Sequence, residues 1–276
     1  MIYYLNGHFI PQEKAKISVR DIGLLRSYGV FDFLRTYNHQ PFLWLEHFQR
    51  LKKSASAIGL KLPFNQKEFH SLLIQLIDKN HQSEIAIRTL ITGGVGLNSV
   101  TPAKTPTVCL MAEPIIVYPR KYYTQGAKVI TLDHLREFPQ AKTLNYTLAI
   151  YAQSQAKNQA APEALYVSDK HILEGTTSNF FAVKNNLLLT PKNNILLGIT
   201  RNFVIQLARD SHIKVLEADI KLSQIPQFQE AFITSTSKEI MPIIKINNQS
   251  IGSDKIGPVT KKLMTIFHQK TNNYVS

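Results

Sequence analysis

Pro114-Ile-Ile-Val-Tyr-Pro-Arg-Lys-Tyr-Tyr-Thr-Gln-Gly126 is the stretch on which the fold turns. It mixes prolines, aromatics and basic residues and follows neither the helical nor the strand period, so it reads as a connection between two folding units. The sequence therefore predicts an N-terminal α/β domain over residues 1–115, a linker over 116–126, and a C-terminal α/β domain over 127–276. N-terminal to the link, Tyr3-Tyr4-Leu5, the Asn6-Gly7 turn and Phe9-Ile10 before Pro11 form a hairpin signal. Val30 to Tyr37 reads as a strand, and a turn at Asn38-His39-Gln40 leads into Pro41 to Leu45. Leu45, Phe48, Leu51, Ala55 and Ile58 then recur at helical spacing up to Gly59. A second helix is expected over about Gln66 to Lys79, followed by strands Glu84 to Thr92 and Thr107 to Glu113.

C-terminal to the link the pattern gives a strand from Ala127 to Thr131, a loop holding Lys142, and a helix from about Asn145 to Asn158. Short strands follow from Ala164 to Thr190, and a helix begins near Thr200. Strands return at Lys214 to Glu217, Ala231 to Thr234 and Ile240 to Ile246, and Pro258 opens a last helix. Strands and helices are grouped rather than alternating one for one. The fold class expected is α/β with mixed (α+β) sheets in two domains, not a doubly wound dinucleotide fold.

A chain of 276 residues with 44% apolar and 18% charged residues has the balance of a globular protein. Met1-Ile-Tyr-Tyr-Leu5 lacks the basic start of a signal peptide, and no apolar run approaches the roughly 20 residues that span a bilayer. Cys109 is the single cysteine, which excludes an intrachain disulfide, and it lies in an apolar strand. A cytoplasmic protein is the expectation, with no membrane partner. The net charge of +13 comes from 32 Lys and Arg residues scattered without a polybasic block. That distribution favours a basic surface around a phosphate-bearing small molecule over nucleic-acid binding.

Five segments carry candidate chemistry. Gln140-Ala-Lys142-Thr-Leu-Asn-Tyr146 places a lysine in an apolar stretch ahead of a helix, where desolvation would lower the amine's pKa and favour attack on an aldehyde. Leu173-Glu174-Gly-Thr-Thr-Ser178-Asn179-Phe180 concentrates a carboxylate, hydroxyls and an amide, but alone it reads as a surface turn. Leu197-Gly-Ile199-Thr200-Arg201 offers free N–H groups at a helix start to an anion, as ordinary N-caps also do. Ile233-Thr-Ser235-Thr236-Ser237-Lys238-Glu239 is a hydroxyl run able to ligate a phosphate or to form a polar turn. Arg50, in Glu46-His47-Phe-Gln-Arg50, has a fork suited to phosphate, although most helix arginines face solvent. No metal-ligand spacing occurs.

In combination and order, these segments resemble the class IV aminotransferases, the fold type IV pyridoxal-phosphate enzymes that include branched-chain and D-amino-acid aminotransferases and aminodeoxychorismate lyases. The resemblance covers essentially residues 1 to 270. It implies pyridoxal 5′-phosphate as cofactor, with Lys142 as the catalytic lysine that carries it and shuttles the Cα proton. It implies Glu174 as the carboxylate paired with the pyridine nitrogen. Arg50, Ile199, Thr200 and Thr236 match the phosphate set, with Ser235 beside them. Tyr146 falls near the phenolic oxygen, and Ser178 and Asn179 support ring and phosphate. Arg26, Phe31, Arg88, Ser237 and Lys238 stand as substrate-side candidates, the three cations being equally readable as structural charges. Phe31 departs from the tyrosine usual in D-alanine-type enzymes, and Ala86 from the tyrosine that precedes Arg88 in branched-chain ones. The resemblance further implies a homodimer with each active site at the domain interface, Arg26 reaching across subunits, and an amino acid and a 2-oxo acid as small-molecule partners. Two other readings are aminodeoxychorismate lyase, releasing 4-aminobenzoate and pyruvate, and a silent or nucleic-acid-binding relative.

Overall fold

A computed structural model of the protein describes residues 1–275. They group into two compact units: Met1–Ile116 with Gln140–Tyr146 and the stretch from Asn272 on, and Val117–Pro139 with Thr147–Thr271.

The first unit contains β1 (Ile2–Leu5), β2 (His8–Pro11), α1 (Ile22–Arg26), β3 (Gly29–Tyr37), β4 (Gln40–Pro41), α2 (Trp44–Ala57), α3 (Gln66–Asp78), β5 (Ala86–Thr92) and β6 (Thr107–Glu113). Its six strands form an antiparallel sheet in the order β2-β1-β6-β5-β3-β4. The Asn6-Gly7 pair makes the expected two-residue turn, with φ of 46° and 98°. Alternation along β3 sends Val30 and Leu34 to one face, where they meet Ile87, Ile91 and Leu110 and pack against Phe48, Leu51, Phe69 and Leu73 of α2 and α3. Phe31 and Phe33 point from the opposite face, and Arg88 pairs directly with Phe33. A capping box of Asn65 and Glu68 starts α3.

Lys142 was expected in the C-terminal domain. Its segment instead packs in the first unit, because backbone bonds fasten it beside the start of β3. Phe31 N donates to Lys142 O (2.9 Å) and Leu144 N to Gly29 O (3.0 Å). Glycine is needed at position 29, since a Cβ there would meet Leu144 Cδ1 at 2.7 Å and Ile91 O at 2.6 Å.

The second unit contains α4 (Lys121–Thr124), β7 (Ala127–Asp133), α5 (Thr147–Asn158), β8 (Ala164–Ser168), β9 (His171–Gly175), β10 (Asn179–Lys184), β11 (Leu187–Thr190), α6 (Ile199–Asp210), β12 (Val215–Glu217), β13 (Ile220–Lys221), β14 (Glu230–Ser235), β15 (Glu239–Ile246), β16 (Gln249–Ser250) and α7 (Pro258–Asn272, whose final residue groups with the first unit). Part of the expected linker belongs here, because Tyr118, Tyr122 and Tyr123 pack against this unit's core. Strands β10, β14, β15, β7, β8 and β9 pair in succession, and a single Asn179–Glu174 pairing of β10 with β9 closes the ring. Phe180, Ile233, Met241, Val129 and Leu165 belong to its apolar core, and α5 packs through Ala152 and Ala156. Glu230 receives the free N–H groups of Val259 (3.0 Å) and Thr260 (2.7 Å) at the start of α7. No helix among the described residues is long and apolar enough to cross a membrane.

Candidate active site

In the first unit the Lys142 amine is held from several sides. Its backbone N donates to Ser54 Oγ (3.0 Å), and Nζ lies 3.2 Å from Tyr146 Oη and 4.5 Å from the Phe31 ring centroid. Phe31 and Tyr146 meet edge to face at 5.2 Å. Among the described residues no carboxylate pairs with this amine, which stands against an aromatic wall.

Arg50 projects from α2 onto Asp32 of β3, with Nε to Oδ2 and Nη2 to Oδ1 both at 2.8 Å, while His47 Nδ1 lies 2.5 Å from Oδ1. Burial alone would raise the Asp32 carboxyl, but Arg50 and His47 overcome it and hold it well below the ordinary carboxylate range. Burial likewise pushes the His47 imidazole down, against the pull of Asp32. The clamped guanidinium keeps Nη1 without a hydrogen-bond partner among the described residues, one donor ready for an anion.

In the second unit Glu174 ends β9 with both oxygens engaged. Arg136 donates to Oε1 through Nε (2.9 Å) and Nη2 (2.5 Å), and Leu196 N donates to Oε2 (3.0 Å). Sequence reading missed Arg136, which lies in a loop without pattern. Asn179 donates to Leu196 O (2.7 Å) and, at 3.4 Å, to Glu174 Oε2. Its Oδ1 fills the space beside Gly198, where a Cβ would stand 2.0 Å away.

Gly198 caps α6 without a side-chain cap, and the first helical bond runs from Asn202 N to Gly198 O. The N–H groups of Ile199 and Thr200 consequently have no partner among the described residues and stand at the positive end of the helix. Thr234, opposite Asn179 in the β10–β14 register, has a buried hydroxyl with no hydrogen-bond partner among the described residues. Free N–H groups and an orphaned hydroxyl are the donor set a phosphate requires.

The family model for amino-transferase class IV matches residues 29–246. The chain belongs to the class IV aminotransferases. Over 97% of its length this aminotransferase is 36% identical to a putative branched-chain-amino-acid aminotransferase of Methanocaldococcus jannaschii, covering 95% of that protein. It is 32% identical to the D-alanine aminotransferase of Bacillus licheniformis over 94% of this chain and 93% of that one. Among solved structures, the T.th. branched-chain amino acid aminotransferase with pyridoxamine 5′-phosphate aligns at a TM-score of 0.91 and 28% identity, covering 98% of this chain and 94% of that one. The Escherichia coli branched-chain enzyme aligns at a TM-score of 0.90 and 28% identity, covering 100% and 95%.

The aminotransferase's remaining candidates divide. Arg88 is paired with Glu113 through Nε (2.7 Å) and Nη2 (2.9 Å), and its guanidinium lies 4.8 Å from the Phe33 ring and 5.6 Å from the Phe31 ring. That places it on the face that bears Lys142. Arg26 is exposed and donates to Leu25 O (2.8 Å) and Ser99 Oγ (3.2 Å). Lys238 is 2% exposed, and its amine is paired with Glu163 at 2.8 Å. Ser178 donates to Glu163 as well (3.2 Å), which fixes its hydroxyl within the loop. Ser235 Oγ accepts from Lys238 N (3.1 Å) and lies 3.4 Å from Ser237 Oγ.

Proposed function

We propose that this aminotransferase moves the amino group of an apolar α-amino acid to a 2-oxo acid with pyridoxal 5′-phosphate, Lys142 being the catalytic amine. The observation that carries this reading is the Lys142 amine, unpaired by any carboxylate among the described residues and set against Phe31 and Tyr146 on the sheet face that also presents Arg88. When bound, the cofactor supplies an aldehyde to bond an amine and a ring that withdraws electrons from the substrate's Cα. Lys142 Nζ would hold the cofactor's aldehyde and would take the proton from the substrate's Cα. Tyr146 Oη orients Nζ through their 3.2 Å contact. Glu174, fixed by Arg136 and Leu196 N, would hold a proton on the pyridine nitrogen. Arg50 Nη1, the N–H groups of Ile199 and Thr200, and the hydroxyls of Thr234 and Thr236 would hold the phosphate. Arg88 would take the substrate carboxylate through Nη1, since Nε and Nη2 are engaged by Glu113, and the Phe31 and Phe33 rings would line an apolar side chain.

The names of the relatives, branched-chain and D-alanine enzymes alike, support an amino-acid substrate of this size. Exposed Leu24, Leu25, Val95, Leu97 and Val100 in the first unit support a homodimer. Cytoplasmic residence agrees with the lone, buried Cys109. Borohydride reduction of the cofactor-loaded protein followed by peptide mapping should put the label on Lys142. Single L- and D-amino acids added one at a time should then bleach the cofactor absorbance for apolar side chains of one hand. A label elsewhere, or no response across the panel, would overturn the reading.

A further inference from the structure

Glu163 and Lys238 form an ion pair that is almost wholly out of water, with side chains 0% and 2% exposed and Oε2 to Nζ at 2.8 Å. Its hydrogen bonds engage two particular turns, with one more from Gln153 of α5. Glu163 Oε1 accepts from Thr176 Oγ1 and from Gln153 Nε2 (2.6 Å), and Oε2 accepts from Thr177 Oγ1 (3.0 Å) and Ser178 Oγ (3.2 Å). Three successive hydroxyls of the turn that follows Glu174 thus converge on one carboxylate. Lys238 closes the other side: Nζ donates to Thr177 Oγ1 (2.7 Å), lies 5.2 Å from the Tyr118 ring, and belongs to the turn after β14. Its own backbone holds that turn, N donating to Ser235 Oγ (3.1 Å) and O accepting from Tyr123 Oη (3.2 Å). Burial works against the ammonium, yet the Glu163 carboxylate and Tyr118 hold the amine above its ordinary value, so it stays charged at neutral pH.

An ion pair this deep is a poor way to gain stability, because desolvation offsets most of the attraction and apolar residues of the same volume often do as well. Its hydrogen bonds, by contrast, set geometry. We infer that Glu163 and Lys238 are positioning residues for cofactor binding, locking the Thr176–Ser178 turn to the Ser235–Lys238 turn so that the ring partner Glu174 and the phosphate donors Thr234 and Thr236 keep a fixed spacing. This inference rests on the proposed function, since it takes those residues as the cofactor's contacts.

The test compares pyridoxal 5′-phosphate with pyridoxal, which has the same ring and aldehyde but no phosphate. Dissociation constants for both are measured by absorbance titration on the full-length wild type, Lys238→Met, Glu163→Gln and the double variant, alongside thermal unfolding of each without cofactor. With the lock removed, the affinity advantage conferred by the phosphate should shrink by about tenfold or more, the equivalent of one charge-assisted hydrogen bond misplaced. A purely structural pair would shift the unfolding midpoint and leave that ratio unchanged in the molecules that fold, which would overturn the inference. If Lys238→Met does not fold, Glu163→Gln reads the same ratio, because its amide oxygen still accepts hydroxyl donors. Absence of a borohydride-trapped label at Lys142 in the wild type would instead reject the functional reading.

Discussion

Gly198→Ala separates two opposite expectations at one position. Gly198 has φ of −65° and ψ of 141°, which any L residue adopts. By backbone entropy alone the added methyl should stabilise the protein by about 0.4–1 kcal/mol. Side-chain packing argues the reverse. The new Cβ would lie 2.0 Å from Asn179 Oδ1 and 3.2 Å from Asn179 Cγ, so the amide must move by more than an atom's tolerance. It is not free to move, because its Nδ2 is donated to Leu196 O and Glu174 Oε2. Overpacking of this kind costs about 1–3 kcal/mol, and a lost hydrogen bond adds about 0.5–1.5 kcal/mol. The net expectation is destabilisation by about 1–4 kcal/mol in urea unfolding, with cofactor affinity reduced roughly tenfold or more as the α6 N-terminus shifts. The double variant Gly198→Ala/Asn179→Ala should show the alanine at 198 costing much less than it does alone. A stabilised Gly198→Ala protein, or equal costs in the two backgrounds, would refute the reasoning.

Asp32→Asn should destabilise by about 3–5 kcal/mol in urea, since it strips the charge partner from a largely buried Arg50. The Asp32 carboxyl is depressed in the folded state, so its contribution is whole above the unfolded value near pH 4 and is lost as pH falls below it toward the folded value. The wild-type unfolding midpoint should therefore fall more steeply than the variant's from about pH 5 downward; parallel curves would contradict this. Arg136→Gln removes two bonds to Glu174, each of the charge-assisted kind worth about 1.5–3 kcal/mol. Weaker cofactor binding by titration and a reduced kcat should follow, and wild-type values for both would remove Arg136 from the site. Burial pushes the Cys109 thiol up to about 11, so roughly one molecule in a thousand is thiolate at pH 8. Alkylation by iodoacetamide should be slow in the native protein and fast in denaturant, and equal rates would show the strand to be open.

What the sequence made legible were features written locally. Asn6-Gly7 specifies its turn by two residues that tolerate positive φ, and Pro258 sits at the first position of α7 where its missing N–H has no bond to lose. Lys142, Glu174 and Thr200 could be singled out because each stands in a short run of unusual chemistry. Their partners lie far along the chain and carried no such mark. Arg136 reaches Glu174 from a loop of ordinary composition, and Glu163 meets Lys238 although neither belongs to a run that names the other. One signal was available and unused: Val30, Asp32, Leu34 and Thr36 share the buried face of β3, and a carboxylate at an inward position of such a strand demands a charged partner. Arg50, at a helix position facing that sheet, was the residue to look for. The same logic governs Lys238, a substrate-side candidate by sequence that the fold pairs with Glu163. A cation's sequence context reports that a charge is present, whereas its role depends on which carboxylate the fold brings within about 3 Å, and that distance is fixed by strand pairing across β8, β9, β10 and β14.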